Sequence, residues 1–303
     1  MSLDLSSCTV CPRACGANRL AGEKGVCAVT GEKVIVSRAA LHFFEEPCIS
    51  GTAGSGAVFF AGCNLRCIYC QNYEISAKPK GIAVSVQELS DIFLRLQDKG
   101  ALNINLVTPS HYATAIAAAL IRAKENGLTV PVVYNCSGYE SVEALEMLAP
   151  LVDIYLTDYK YEDAELAERF SRAKDYPAVA KKALSRMIKS RPECVFSEDG
   201  RMLRGVIVRV LLLPGHVRNS KDVVSYVYGT YGDGVYLSLM NQYTPMREFP
   251  EAPELSRKVT RGEYERLLDH ALALGVKNAF MQEGGTEKKS FIPAFDGEGV
   301  LPE

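Results

Sequence analysis

No stretch of the sequence approaches the run of about 20 apolar residues needed to span a bilayer. There is no run of like charge either, and the net charge is only −2. These absences argue against membrane insertion and against a general attraction to nucleic acid or anionic lipid. The first residues, Met1-Ser2-Leu3-Asp4, lack the basic and apolar regions of a secretory signal. The expectation is a cytoplasmic globular protein. Disulfides are rare in that compartment, which changes how the ten cysteines are read. Eight fall in the first 70 residues, at Cys8, Cys11, Cys15, Cys27, Cys48, Cys63, Cys67 and Cys70. Such clustering points to metal.

Cys63, Cys67 and Cys70 stand at spacing C-x3-C-x2-C, directly after the apolar run Val58-Phe59-Phe60-Ala61 and Gly62. A short apolar run closed by glycine reads as a buried strand opening into a loop. Three thiolates from one loop reach three corners of a single [4Fe–4S] cube, and no fourth cysteine lies close by in sequence. Such cubes ordinarily take four cysteine ligands. Three leave one iron free for another ligand, the logic by which an open metal position becomes catalytic. The competing reading is three buried core cysteines.

Cys8, Cys11, Cys15 and Cys27 lie within twenty residues, and Gly16, Gly22 and Gly25 suit a tight loop round an ion. Four thiolates satisfy a structural zinc ion or hold an auxiliary iron–sulfur cluster, and spacing does not decide between them. The competing reading is four packed, reduced thiols. Arg13, Arg19 and Lys24 do not make a nucleic-acid patch. Residues 31–50 read as a connector, with a short β signature over Glu32–Arg38 and a buried Cys48; His42 and Glu45-Glu46 either reach the active-site mouth or sit on the surface, the second being the preferred reading. Gly51, Gly54 and Gly56 precede a strand rather than open a helix, so they fail the test for a phosphate-cradling loop. The expected division is a cysteine-rich module with connector over 1–50 and a catalytic domain with a C-terminal extension over 51–303.

From Val58 onward strand and helix patterns alternate. Strands are expected at Val58–Ala61, Asn103–Val107, Val130–Tyr134, Val152–Leu156, Gly205–Leu213, Val235–Met240 and Asn278–Met281. Helical patterns cover Val86–Lys99, Ala113–Asn126, Ser141–Leu148, Asp163–Ala173, Pro177–Arg191, Ser220–Tyr228 and Arg261–Leu274. Apolar strands separated by helices of about 10–15 residues mean βαβ units and a parallel sheet. Six or seven units predict an α/β fold, a partial (β/α)6 barrel of TIM type, whose chemistry collects at the C-terminal strand ends. Those ends are polar: Thr108-Pro109-Ser110-His111, Asn135-Cys136-Ser137, Thr157-Asp158-Tyr159-Lys160, Arg209, Asn241-Gln242-Tyr243-Thr244 and Gln282-Glu283-Gly284-Gly285. Lys160 and Arg209, pointing inward among apolar walls, need partners. Asp158 and a bound carboxylate are the natural ones.

The ten residues from Cys63 to Asn72, Cys-Asn-Leu-Arg-Cys-Ile-Tyr-Cys-Gln-Asn, resemble the cluster motif of the radical S-adenosylmethionine (SAM) superfamily. More narrowly they resemble that of the glycyl-radical-enzyme activating enzymes, of which pyruvate formate-lyase activating enzyme is the type. With the Cys8–Cys27 module, the chain is similar over essentially its whole length to the PflX-like subgroup. The resemblance implies that Cys63, Cys67 and Cys70 ligate a [4Fe–4S] cluster whose open iron takes the amino acid end of SAM. It places Tyr69 beside the adenine and Asn72 near the cofactor. Asp158 and Lys160 are similar to an Asp-Leu-Lys whose aspartate helps bind a monovalent cation, and Asn135 stands at another cation-binding aspartate. Arg209 matches a fifth-strand arginine close to the cofactor. Where the type enzyme has Gly-Gly-Glu for the amino end of SAM, this chain has Thr108-Pro109-Ser110-His111, with Ser110 and His111 as the replacement hydrogen-bonding groups. The front module is absent from the type enzyme.

The implied reaction is one-electron cleavage of SAM to methionine and a 5′-deoxyadenosyl radical, fed by a flavodoxin- or ferredoxin-like donor. The radical then takes a hydrogen atom from a substrate. Hydrogen-atom abstraction needs no general base, and the sequence offers no acid–base dyad. The implied substrate is a glycine of a partner glycyl radical enzyme; a small molecule, or another protein or RNA, is the alternative. The rival from another class is a non-catalytic iron–sulfur or zinc protein.

Overall fold

The computed structural model describes residues 3–31, 33–282 and 292–302. Glu32, and Glu283, Gly284 and Gly285 of the seventh strand end, lie outside the described residues. The strands are β1 (Val34–His42), β2 (Ser55–Phe60), β3 (Ile82–Val84), β4 (Ile104–Val107), β5 (Val132–Cys136), β6 (Ile154–Asp158), β7 (Val195–Phe196), β8 (Met202–Leu211), β9 (Tyr236–Met240) and β10 (Ala279–Met281). The helices are α1 (Pro47–Ser50), α2 (Tyr73–Ser76), α3 (Val86–Asp98), α4 (Ala113–Glu125), α5 (Val142–Leu148), α6 (Ala164–Ser171), α7 (Tyr176–Ser190), α8 (Val217–Tyr231) and α9 (Arg261–Leu274).

One open sheet runs in the order β10-β9-β8-β6-β5-β4-β2-β1-β3, and β7 pairs with β8 off this path. The seven strands β2, β4, β5, β6, β8, β9 and β10 are mutually parallel. They are the seven expected strands, with ends shifted by a few residues. The architecture is α/β with a mostly parallel sheet, consistent with a partial barrel. Strands β2, β4 and β5 are buried at every position, as expected of parallel strands covered on both faces. The helices start where the sequence offers caps. Ser85 and Glu88 form a capping box on α3, Thr260 and Glu263 do so on α9, and Gly275, in the left-handed region, ends α9.

The connector reading of residues 31–50 needs correction. Val34–His42 is a full strand of the sheet, antiparallel to both β2 and β3. Its alternation is hard to see because a bulge leaves Ser37 between the pairs Val36–Phe60 and Arg38–Phe59. Ser37 Oγ instead donates to the Lys80 carbonyl at 2.6 Å. A bulge shifts the period-two pattern by one residue, so a nine-residue strand reads as a short one. Among the described residues, no helix is long and apolar enough to cross a membrane.

Candidate active site

Strand β2 ends in the turn Ala61-Gly62, which delivers the chain to Cys63. Gly62 has φ +85°, and a Cβ there would lie 2.6 Å from the Cys27 carbonyl oxygen and 2.7 Å from Val29 Cγ1. Both contacts are closer than side chains tolerate, and one is to backbone that has nowhere to go. Gly62→Ala is therefore expected to destabilise the fold by about 1–3 kcal/mol, through backbone strain and overpacking together. A denaturant midpoint equal to that of the parent would show that the turn is not held this tightly.

Cys63, Cys67 and Cys70 line one cavity at the C-terminal end of the parallel strands. The N–H groups of Leu65 and Arg66 donate to Cys63 Sγ at 3.4 and 3.5 Å, with Arg66 in the left-handed region at φ +53°. Ser171 Oγ donates to Cys67 Sγ at 3.0 Å. Tyr161 Oη lies 2.8 Å from Ser171 Oγ and 2.7 Å from Tyr69 Oη, so the second cysteine and the cavity tyrosine share one hydroxyl network. Burial pushes the Cys63 thiol up to about 12 and the Cys70 thiol upward as well. As free groups they are protonated, and ligation displaces the proton. Among the described residues no three Cys, His, Asp or Glu side chains converge on a single-ion site. A four-iron cube holds its thiolates farther apart than one ion does, and an all-thiolate donor set is the one such a cube takes. The residues fit an iron–sulfur cluster.

Facing the cysteines, Lys160 Nζ donates to Asp158 Oδ2 at 2.5 Å. Burial alone lowers the lysine, but the charge of Asp158 and its hydrogen bond outweigh that and raise Lys160 above its ordinary value. Tyr69, Asn72, Asn135, Asp158, Lys160 and Arg209 line the same cavity as the three cysteines. The residues drawn together span Cys63 to Arg209 in sequence, because each sits at the end of a neighbouring parallel strand or on the loop after it.

The partner of Arg209 differs from the expected bound carboxylate. Its guanidinium donates to both Glu46 oxygens, from Nε at 2.8 Å and Nη2 at 2.7 Å, and also to Glu45. Asn105 and Asn135 both donate to Glu45 Oε1, at 2.9 and 3.0 Å. Burial raises Glu46, but the Arg209 charge and hydrogen bonds more than offset that and hold it below the ordinary carboxylate value. Glu45 and Glu46, assigned to the surface from sequence, thus form a buried wall of the site. His42, Phe44 and Glu45 line the cavity. A buried carboxylate carries no mark in sequence when its cation lies over 160 residues away. The only local signal is Pro47 at the start of α1, which turns the chain inward directly after the pair.

Ser110 and His111 are the second correction, because neither lines the cavity. Thr108, at φ +62°, turns the chain so that the residues after it point behind the sheet end. Ser110 Oγ donates to Glu140 Oε1 at 2.6 Å, and His111 Nε2 lies 2.8 Å from the Ala61 carbonyl oxygen. Burial pushes His111 down to about 4, so the imidazole is neutral and donates from Nε2 to that carbonyl. His111 thus braces the turn before Cys63 from behind, Ser110 ties the chain to Glu140, and Thr108 stays at the cavity.

Glu140 carried no signal in sequence. It is buried, accepts from Ser110 and from Tyr134 Oη at 3.0 Å, and burial pushes its carboxyl up to about 7 from 4.5. Between those values the unfolded chain releases a proton that the folded chain keeps. Stability is therefore highest below the unfolded value and falls as pH rises toward 7, by about 3 kcal/mol in all. Glu140→Gln offers an acceptor oxygen to one hydroxyl and a donor NH2 to the other, and both hydroxyls rotate to suit. The variant is expected to lose this falling limb and to match or exceed the parent above pH 7. Unfolding curves at acid and alkaline pH check this, and an unchanged slope in the variant would count against it.

Residues 57–199 match the Radical SAM superfamily. An uncharacterized protein of Methanocaldococcus jannaschii is 29% identical over 274 residues, covering 88% of this chain and 74% of its own. A second uncharacterized protein of that organism is 27% identical over 172 residues, covering 48% of each. Among solved structures, Streptococcus suis SuiB bound to precursor peptide SuiA is 14% identical with a TM-score of 0.49. That alignment covers 74% of this chain and 47% of SuiB, so the chain spans less than half of SuiB's length.

Proposed function

With the radical SAM match at residues 57–199 as the premise, we propose that the chain is an enzyme that holds a [4Fe–4S] cluster on Cys63, Cys67 and Cys70 and binds SAM in the adjoining cavity. When bound, that pair supplies one-electron cleavage of SAM to methionine and a 5′-deoxyadenosyl radical, which takes a hydrogen atom from the substrate. The observation that carries the reading is the single cavity shared by three cysteines of one loop and the Asp158–Lys160 pair. The protein's part is orientation. Tyr69 offers a ring beside the cysteines, and Asp158 and Lys160 offer opposite charges to an amino and a carboxylate group, or to a monovalent cation. The apolar walls, Phe59, Leu65, Val107 and Leu211 among them, exclude water and competing hydrogen donors.

The narrower reading is that the hydrogen comes from a glycine of a partner enzyme, as in the activating enzymes the motif resembles. It rests on that likeness alone. Anaerobic reconstitution with iron, sulfide, SAM and dithionite is expected to yield methionine and 5′-deoxyadenosine in equal amounts. A fully loaded cluster that forms neither product would favour a non-catalytic iron–sulfur protein. Deuterium transfer from a labelled partner glycine to 5′-deoxyadenosine would support the narrower reading. Transfer from a small molecule or another macromolecule would replace it.

A further inference from the structure

The reaction proposed above leaves Cys8, Cys11, Cys15 and Cys27 unused. The chain around them is folded back on itself: Cys8 N–H donates to Ala17 O and Gly16 N–H to Cys8 O, both at 3.1 Å. Ala14 and Ala28 sit at φ +38° and +65°, a conformation alanine adopts only where its surroundings impose it. The backbone N–H two residues on faces the sulfur of Cys11, Cys15 and Cys27, from Arg13, Ala17 and Val29 respectively. Leu65 and Asn72 bear the same relation to Cys63 and Cys70. A Cβ on Gly25 would lie 3.2 Å from Cys15 Sγ and 3.3 Å from Cys27 Sγ, so these two sulfurs flank one narrow gap.

A separate observation concerns Arg19. Its side chain is 2% exposed, its Nε has no hydrogen-bond partner, and among the described residues no carboxylate pairs with it. Its other contacts are the His111 carbonyl, at 2.7 Å from Nη1, and the Tyr112 ring. A buried cation without a counter-charge is strongly unfavourable. The sulfur of Cys27 lies within range of its charge, and four packed neutral thiols would leave that charge unanswered. Thiolates round a metal centre supply the missing negative charge. An all-thiolate set of four is one that an iron–sulfur cluster takes.

This module is joined directly to the catalytic loop. Cys63 N–H donates to the Cys27 carbonyl at 3.3 Å, Arg13 Nε to Asn64 O at 2.8 Å, and Arg66 Nη1 to Val26 O at 3.4 Å. Cys63 and Cys67 are buried, whereas Cys15 is exposed. We propose that Cys8, Cys11, Cys15 and Cys27 hold a second iron–sulfur cluster that relays electrons to the first. The relay role rests on the radical SAM reading. A low-potential flavin or iron–sulfur protein loses one electron at the Cys15 surface. The second cluster gains it and is reoxidised as the electron crosses the Cys27–Cys63 contact to the SAM-binding cluster.

Anaerobically reconstituted full-length protein is expected to hold about six to eight irons per chain, against about four for one cube. The Cys63→Ala/Cys67→Ala/Cys70→Ala variant should keep the remainder, with the paramagnetic signal of a reduced cluster. One equivalent of zinc, or no metal, in that variant would overturn the second cluster while leaving the radical SAM reading intact. In the unaltered holoenzyme, full reduction should broaden both paramagnetic signals through their mutual coupling, a readout that does not depend on any variant folding. Two sharp, independent signals would overturn the relay. In Cys8→Ala/Cys15→Ala, reduction of the remaining cluster by a flavodoxin-type protein should slow at least about tenfold, while reduction by dithionite keeps its rate. Equal rates with the protein donor would also overturn it. Loss of the first cluster's SAM cleavage with dithionite, in protein that retains all its iron, would instead count against the radical SAM reading.

Discussion

Cys67→Ala is expected to strip the iron held by the 63–70 loop and to lower 5′-deoxyadenosine formation by about 10³-fold or more, the scale on which members of one catalytic unit fail together. The reason is that three ligands leave no redundancy. With four thiolates a cluster that loses one can be held by the other three, but in the proposed site the fourth corner belongs to the cofactor. Cys67 is also the sulfur tied to Ser171 Oγ at 3.0 Å, and through Ser171 to Tyr161 and Tyr69, so its loss frees the hydroxyl network on that side of the cavity. Cys48→Ala is the matched control. Cys48 is equally buried but packs with Ile49, Val133, Ile154 and Ile207, away from the cavity. It is expected to cost packing energy alone and to leave iron content unchanged. Iron and sulfide analysis of both variants decides the matter. If both retained the parent's iron, the loop cysteines would be core residues and the proposed chemistry would fall.

The cysteine loop and the sheet are legible in sequence for a common reason: their signals are local. C-x3-C-x2-C needs only eight residues to be read, and strands buried on both faces appear as unbroken apolar runs whatever their neighbours are. What stayed hidden depends on distant partners or on single backbone angles. Glu45 and Glu46 look like any exposed acidic pair until β8 places Arg209 against them. Ser110 and His111 share a strand end with Thr108, but one left-handed residue turns them behind the sheet. The bulge at Ser37 broke the alternation of β1, so the strand that carries His42 to the cavity was taken for a connector. Arg19 reads as one basic residue in a small module, and sequence does not show that it is buried with no carboxylate paired to it among the described residues.

Arg209→Ala is expected to destabilise the protein by about 3–5 kcal/mol, because removing one side of a buried ion pair leaves the other side uncompensated. Here two carboxylates would be stranded. The side chains of Glu45 and Glu46 are only 9% and 5% exposed, and the arginine's 11% offers little room for water to replace it. Adding Glu45→Gln and Glu46→Gln to Arg209→Ala should recover much of the loss, since the residual cost is then a cavity rather than unpaired charge. The pH dependence separates the two contributions. In the parent, Glu46 is held below its unfolded value of 4.5, so its stabilisation is present above that value and is lost as pH falls. In Arg209→Ala the Glu46 carboxylate loses its cation and is raised by burial, so the sign reverses: the variant is most stable in acid and weakens as pH rises. In a Glu140→Gln background, which removes that residue's own falling limb, denaturant midpoints on either side of pH 4.5 should therefore slope in opposite directions with and without Arg209→Ala. Parallel slopes, or a triple variant as unstable as the single one, would mean that Arg209 holds this wall by packing rather than by charge.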